Sequence, residues 1–358
     1  MATRHCRWLM GALLLSGACV STIPAPQRVA PQRERQLPAD VRYDFGGFHA
    51  PGRWYKGNLH LHTTFSDGKL DPPATAAVYR NLGYDFIALT DHIGGFRDKE
   101  TKVFKPLVYP LGQLNRPDFL VLPGMEYDTS RNGETIHFEV IGPGYDQRLE
   151  EGQDLSEAAK GWWDRGAFVF YAHPHWSLNS TSVLEDMTFL PAVEVFNYAT
   201  ALSNGLRGNS QLHWDRLLRQ KRRVLGVAAD DTHRPDEHAG GGWVMVKAPA
   251  LTADDILKGL REGRFYFSSG PTLHDVFFDT DGNLHVRCSP VEVIRALSTV
   301  GKVMYVRAKP GKNLREAVIK WDWAPKGAKT PLPFVRVECT DAHGRTAWTQ
   351  AVLWQATK

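Results

Sequence analysis

Cysteine is scarce. The chain has four in 358 residues, none spaced as Cys-x-x-Cys, which excludes a scaffold built on disulfides. Beyond residue 20 there is no run of about 18 apolar residues, so a polytopic membrane protein is excluded. An excess of one charge is also missing. With 43 basic against 39 acidic residues the net charge is +4, too little for a broad basic face, and duplex nucleic acid is not an expected partner. What is present is 42% hydrophobic and 23% charged residues, the balance of a globular chain with a substantial core. The length suits one large domain and a smaller one.

The N-terminus has the layout of an export signal. Arg4 and Arg7 precede the apolar run Trp8-Leu9-Met10-Gly11-Ala12-Leu13-Leu14-Leu15, and the small residues Ser16-Gly17-Ala18 follow. Leu15-Ser16-Gly17-Ala18-Cys19 resembles a bacterial lipobox, in which the cysteine is lipidated and cleavage falls before it. The expectation is a leader over 1–19 and a proline-bearing, charged tether over 20–41. Localisation would then be extracytoplasmic, in the periplasm or cell envelope, with the membrane touched only through a lipid on Cys19. The competing reading is ordinary cleavage nearby, with Cys19 incidental. In an oxidising compartment Cys288 and Cys339 could pair, or remain two buried thiols.

From about residue 53 to 270, short apolar segments alternate with helical stretches. Strand candidates are Asn58–His62, Phe86–Thr90, Phe119–Leu122, Ile136–Ile141, Phe168–Ala172, Val193–Phe196, Val224–Ala228 and Trp243–Val246. Asp71-Pro72-Pro73 opens a helix that Gly83 closes, and Thr252 with Asp255 opens another that Gly263 ends. Residues 155–165 and 210–222 have helical apolar faces. Such alternation predicts a parallel barrel or a doubly wound sheet. After Ser268-Ser269-Gly270-Pro271 the texture turns to strands at 273–278, 283–288, 303–308, 316–323, 334–339 and 346–353, which predicts a β-sandwich over 272–358.

The chemistry lies in where histidines and carboxylates fall on these strands. His60 and His62 alternate, so they share a face, and Asp67 follows five residues later. His92 closes a strand as Thr90-Asp91-His92, and Glu126 follows another in Pro123-Gly124-Met125-Glu126. His137 opens a strand, His173 ends one as Ala172-His173-Pro174, and Asp231 and His233 follow one as Asp231-Thr232-His233. In an α/β barrel the strand ends form one mouth. Six histidines and three carboxylates converging there demand a cation to neutralise and coordinate them. With no sulfur in the set, zinc, manganese or iron fits best.

That ordered set resembles the PHP (polymerase and histidinol phosphatase) family, from about residue 55 to 271. The resemblance implies a distorted (β/α)7 barrel over 42–271 and three divalent metal ions. By the same resemblance, His60, His62, Glu126 and Asp231 share one metal. Glu126, His137 and His173 hold the second, and Asp67, His92 and His233 the third. Val227-Ala228-Ala229-Asp230-Asp231-Thr232-His233, Gly241-Gly242-Trp243 and Gly263-Arg264-Phe265-Tyr266-Phe267-Ser268-Ser269-Gly270-Pro271 further look like the CehA/McbA-type metallohydrolase branch. His175 stands where that branch often has asparagine.

The expected activity is that of an exported metal-dependent hydrolase. A hydroxide bridging the metals would attack a phosphomonoester or small phosphodiester, with His175, Asp91 or water supplying the leaving-group proton. Asp91 could instead orient a ligand imidazole. Two alternatives stand beside this: a carbamate, ester or amide hydrolase using the same hydroxide, and a surface glycan-binding module in which the barrel is secondary. Trp176 is a candidate pocket wall and Asn197 a candidate substrate contact. Trp162, Trp163, Trp321 and Trp323 are expected in cores, the last two with a glycan platform as the lesser reading.

Overall fold

In the computed structural model the described residues are 43–93, 110–146, 152–299, 301–324 and 330–354. The expected leader, the tether and Cys19 lie outside them, as do residues 94–109. No helix among the described residues is long and apolar enough to cross a membrane.

The chain is mixed α/β. Its strands are β1 (Tyr43–Asp44), β2 (Arg53–Asn58), β3 (Phe86–Leu89), β4 (Leu120–Arg131), β5 (Glu134–Ile141), β6 (Phe168–Tyr171), β7 (Ala192–Asn197), β8 (Leu225–Ala229), β9 (Trp243–Ala248) and β10 (Phe265–Ser268). They continue with β11 (Leu273–Phe278), β12 (Asn283–Val291), β13 (Val293–Leu297), β14 (Val303–Arg307), β15 (Leu314–Lys320), β16 (Phe334–Thr340), β17 (Thr346–Trp348) and β18 (Val352–Leu353). The helices are α1 (Pro72–Asn81), α2 (Leu155–Asp164), α3 (Thr181–Glu185), α4 (Tyr198–Asn204), α5 (Gln211–Arg219), α6 (Pro235–His238) and α7 (Ala253–Glu262).

Local chemistry explains the helix ends. Asp71 accepts the Ala74 N–H at 2.9 Å and two prolines occupy the first turn of α1. Thr252 accepts the Asp255 N–H at 3.2 Å, and Gly263, at φ +77°, ends α7 in the left-handed region that glycine tolerates best.

β2, β3 and β4 pair in parallel, as do β6, β7 and β8. The expected β/α alternation breaks between these runs, because β4–β5 and β5–β6 are antiparallel. Asn132 and Gly133, at φ +53° and +79°, supply the positive dihedrals that a two-residue hairpin needs, so no helix intervenes. The chain just beyond β8 returns to the chain just beyond β2: Asp231 N–H donates to His60 O, and His62 N–H to Thr232 O, both at 2.9 Å. The two ends of this strand run thus meet at one rim.

His60 and His62 lie beyond β2 rather than within it, which corrects the expected strand Asn58–His62. The segment stays extended enough to keep the alternation. Leu59 and Leu61 are buried in two different cores, and the histidines turn to the opposite side. The backbone hydrogen bonds of this stretch go to the loop after β8 on one side and, through Leu61 O, to Thr90 just beyond β3 on the other.

Beyond β10 the hydrogen bonding does not break at 271. β10 pairs with β9 and with β17, so β17, β16, β13 and β14 extend the same sheet. A separate four-stranded sheet runs β1-β11-β12-β15, joining the start of the described chain to its C-terminal part. Between the sheets lies a second apolar core that includes Phe45, Val276, Val286, Ile294, Val337 and Trp321. Trp323 packs against it, as core residues rather than an open platform would. Trp162 belongs to the larger core and Trp163 packs on it. Cys288 and Cys339 are buried free thiols in the second core.

Candidate metal centre

The nine side chains singled out by sequence meet at the rim where the chain beyond β2 and β8 comes together. They reach it from seven different segments, so the gathering is tertiary. His60 and His62 come from the segment after β2, His92 from the loop after β3, Glu126 from β4, His137 from β5, His173 from the turn after β6, and Asp231 and His233 from the loop after β8. Asp67 arrives from the loop before α1, where Thr63 O accepts the Ser66 and Gly68 N–H groups.

The separations form a connected network. Glu126 Oε2 lies 3.4 Å from His60 Nε2, 3.3 Å from His62 Nε2 and 3.0 Å from His92 Nδ1. Its Oε1 lies 2.7 Å from His137 Nδ1 and 3.2 Å from His173 Nε2. Asp231 Oδ1 is 3.3 Å from His60, 3.1 Å from His62 and 3.4 Å from His233. Asp67 lies 3.2 Å from His233 Nε2 and 3.7–3.8 Å from His62 and His92.

Four groupings have ligand atoms close enough to share an ion: His62–Asp67–His92–His233; His92–Glu126–Asp128–His137; His60–His173–Asp231; and His60–His62–Glu126. The Asp67–His92–His233 set implied by the family resemblance is among them. His173 differs from that expectation, for it falls with His60 and Asp231 as well as beside Glu126. His92 lies in two groups, reaching toward Asp67 with Nε2 and toward Glu126 and Asp128 with Nδ1.

The residues fit divalent cations, and the strongest sign is a set of orphaned atoms. His60 is fully buried, and its Nδ1 faces Glu194 Oε1 at 3.2 Å. Among the described residues its Nε2 makes no hydrogen bond of good geometry, nor does Glu126 Oε2. Buried polar atoms are seldom left so. Two donors each about 2.1 Å from one ion stand about 3.0 Å apart at a right angle and about 3.4 Å at the tetrahedral angle. The separations around His60 Nε2 fall in that interval. Two of these residues also have left-handed backbones, His173 at φ +25° and Asp231 at φ +53°. Such conformations are costly for side chains other than glycine and cluster at functional sites.

The electrostatics agree. Burial opposes charge on His60, but Asp231, Glu139, Glu126 and Glu194 outweigh it and raise its pKa well above the ordinary value. Burial likewise opposes charge on His92, yet Asp128, Glu126 and Asp67 push it up to about 10. His137 and His233 are raised in the same way, while desolvation lowers His62. Glu126 and Asp231, despite burial, are held well below the carboxylate range by the imidazoles around them.

Protons on these rings must leave before a ring nitrogen can take a metal. Cation uptake near neutral pH is therefore expected to release protons, and affinity to rise as pH rises from 6 to 8. Calorimetric titration in buffers of different ionisation enthalpy measures this directly. A binding constant independent of pH would contradict the assignment of the imidazoles as ligands.

Several partners were not legible in sequence. Glu194, buried on β7, accepts the His173 N–H at 2.8 Å and an Asn197 Nδ2 hydrogen at 3.0 Å, while its other oxygen faces His60. Asp128, two residues from Glu126 on β4, sits 2.9 Å from His92 Nδ1. Glu139 lies 3.0 Å from His60 Nε2. The i and i+2 spacings Glu126–Asp128 and His137–Glu139 were the available signal, since alternate residues of a strand share a face. Asn197 uses Nδ2 on Asp231 Oδ2 at 3.0 Å and Oδ1 to cap α4, so it positions Asp231.

The two candidate proton donors have different surroundings. Asp91 is buried, and its carboxylate accepts the Thr63 N–H and hydroxyl and the Ser66 N–H and hydroxyl, at 2.7 to 3.1 Å. It fastens the loop carrying Asp67. Among the described residues no hydrogen bond joins it to a histidine ring. His175 Nδ1 faces the Asn209 carbonyl at 2.8 Å, and among the described residues no hydrogen bond or ion pair links it to the nine. A carbonyl only accepts, so that nitrogen carries the proton and Nε2 is the free acceptor. Trp176 does reach the site, its ring centroid 4.8 Å from that of His173 and 6.3 Å from that of His137.

No family model matches the chain, and no curated protein matches it. Solved structures do. One is a two-domain protein from Bacteroides vulgatus described as containing a predicted PHP-like metal-dependent phosphoesterase. It is 17% identical, covers 89% of this chain and all of its own, and has a TM-score of 0.43. An amidohydrolase from Chromobacterium violaceum, solved with sulfate and no metal, is 16% identical over 58% of this chain and 96% of its own, with a TM-score of 0.37. A candidate metal-dependent phosphoesterase from Bifidobacterium adolescentis is 17% identical over the same shares, with a TM-score of 0.36. At identities and scores this low, fold and activity alike rest on the chain's own side chains.

Proposed function

We propose that the chain is a metal-dependent hydrolase of the PHP type, acting on phosphomonoesters or small phosphodiesters. In this reading the strands from β2 to β8 are the distorted barrel and the strands after 271 its appended sandwich. The observation that carries it is the orphaned His60 Nε2, facing Glu126 and Asp231 oxygens at ligand-edge distances in a fully buried pocket. Divalent cations there would lower the pKa of water and polarise a phosphoryl oxygen.

The chain's own groups do the positioning. Glu194 faces Nδ1 of His60, Ser177 Oγ lies 3.1 Å from Nδ1 of His173, and in each case Nε2 is left facing the centre. Asn197 steadies Asp231, and Asp91 steadies the loop that brings in Asp67. Asp91 already accepts four hydrogen bonds from Thr63 and Ser66, which leaves His175 Nε2 or solvent to supply the leaving-group proton. Export, a lipid on Cys19 and a place in the cell envelope remain part of the proposal, supported by the leader-like sequence alone.

One observation favours a second reading, a carbamate, ester or amide hydrolase. Trp176 is 40% exposed and stands against His173, an apolar wall suited to an aryl group beside a carbonyl. Assays on paranitrophenyl phosphate, bis-paranitrophenyl phosphate and 1-naphthyl methylcarbamate, with manganese or zinc added, separate the two. Turnover of a phosphoester is expected. Turnover of the carbamate alone would reverse the ranking, and no turnover with any metal would leave the binding-module reading.

A further inference from the structure

We propose that Glu139, outside the nine, is a tenth cation ligand, and that it makes the ion beside His60 a carboxylate-rich, high-coordination site. The inference rests on the metal-dependent reading above.

Glu139 lies on β5 two residues after His137, so both side chains leave the same face of the strand. It is fully buried, and among the described residues neither carboxylate oxygen makes a hydrogen bond of good geometry. Its Oε1 points at His60 Nε2 from 3.0 Å, and that nitrogen is also unpartnered. The contrast with Glu194 is informative. Glu194 is equally buried and touches the same ring, but at Nδ1, and its second oxygen is satisfied by the His173 N–H and Asn197. Glu194 is a positioning carboxylate. Glu139 faces the other nitrogen, and a cation held between it and the ring would give both unbonded groups a partner.

The distances give the arrangement. From His60 Nε2 to Glu139, Asp231 and Glu126 they are 3.0, 3.3 and 3.4 Å. These are the edges expected between donors on one ion, running from the right angle to the tetrahedral angle. In this proposal Glu139 would add a carboxylate to the donors His60, Asp231 and Glu126, with His62 Nε2, 3.1 Å from Asp231, beside them. Zinc in closed protein sites prefers four ligands, whereas oxygen-rich sets of higher number suit manganese. Glu139 therefore biases this position toward manganese or iron over zinc.

The test compares the full chain with E139Q and E139D, each stripped by chelator and reloaded with manganese(II) or cobalt(II). Metal content is read by elemental analysis, affinity by titration, and coordination by the visible cobalt spectrum. E139Q is expected to bind one ion at least tenfold more weakly, to shift the cobalt bands, and to leave the remaining ions in place. E139D, with the charge kept on a shorter arm, is expected to fall between E139Q and the parent. Should E139Q bind every ion with parental affinity and an unchanged cobalt spectrum, Glu139 is a neutral buried acid and the proposal is overturned. If E139Q does not fold, unaltered affinity and spectrum in E139D overturn it equally. If the parent itself takes up no ion, the metal-dependent reading falls first, an outcome distinct from failure at Glu139 alone.

Discussion

Replacing Asp231 with alanine is expected to lower hydrolysis by roughly a thousandfold or more, as removal of one group in a jointly acting set does. Asp231 lies within 3.4 Å of His60, His62 and His233, and its second oxygen holds Asn197. The loss takes away charge from the most buried part of the centre, and no neighbouring side chain can replace it. The fold is expected to persist, because the buried apolar clusters do not include this residue. Alanine at position 231 also retains a left-handed φ with strain, so a slightly lower melting temperature is expected. His62→Ala is expected to act alike. Kinetics with elemental analysis and circular dichroism check both variants, and full activity in either would refute the ligand assignment.

Removing the cations is expected to have the largest effect on stability. An ion present at a thousandfold over its dissociation constant contributes about 4 kcal/mol. For a domain of this size that corresponds to roughly 10 °C in melting temperature per site. Chelation is therefore expected to lower the melting temperature by at least that much, and manganese to restore it.

The pH dependence should differ in sign between the two forms. In the chelated protein His92, raised from 6.5 to about 10, gives stability that is full below pH 6.5 and is lost as pH rises toward 10. His60, His137 and His233 shift in the same direction. In the loaded protein, stability should grow over the same range, because ligand protons no longer compete with the metal. Melting curves at pH 6.5 and 9, with and without chelator, decide this. Parallel trends in both forms would contradict the proposed centre.

How much of this was legible differs from residue to residue. The caps of α1 and α7 were readable because Asp71 and Thr252 act on N–H groups three residues away. The antiparallel turn of β4 into β5 also had a local signal in Asn132-Gly133, but the alternation of apolar segments pointed to helices instead. The separate sandwich was a reasonable expectation from texture. Only hydrogen bonding could reveal that β17 joins β10 and that β1 joins β11, since those pairs are far apart in sequence.

The nine histidines and carboxylates were named by sequence because an ionisable group at a strand end has few uses other than chemistry. Their grouping was not. Glu139 and Glu194 sit in strands and look alike in sequence, yet one meets an unpartnered nitrogen and the other a nitrogen and two donors. Asp91 and His175 looked as promising as their neighbours. Short-range geometry turned one onto a loop and the other onto a carbonyl. The sequence determined which chemical groups exist and roughly where each strand ends, because those depend on residue type and on contacts a few positions away. Only the tertiary structure decided which of those groups share a cation, because a ligand's role is set by angstrom-scale distances between segments more than a hundred residues apart.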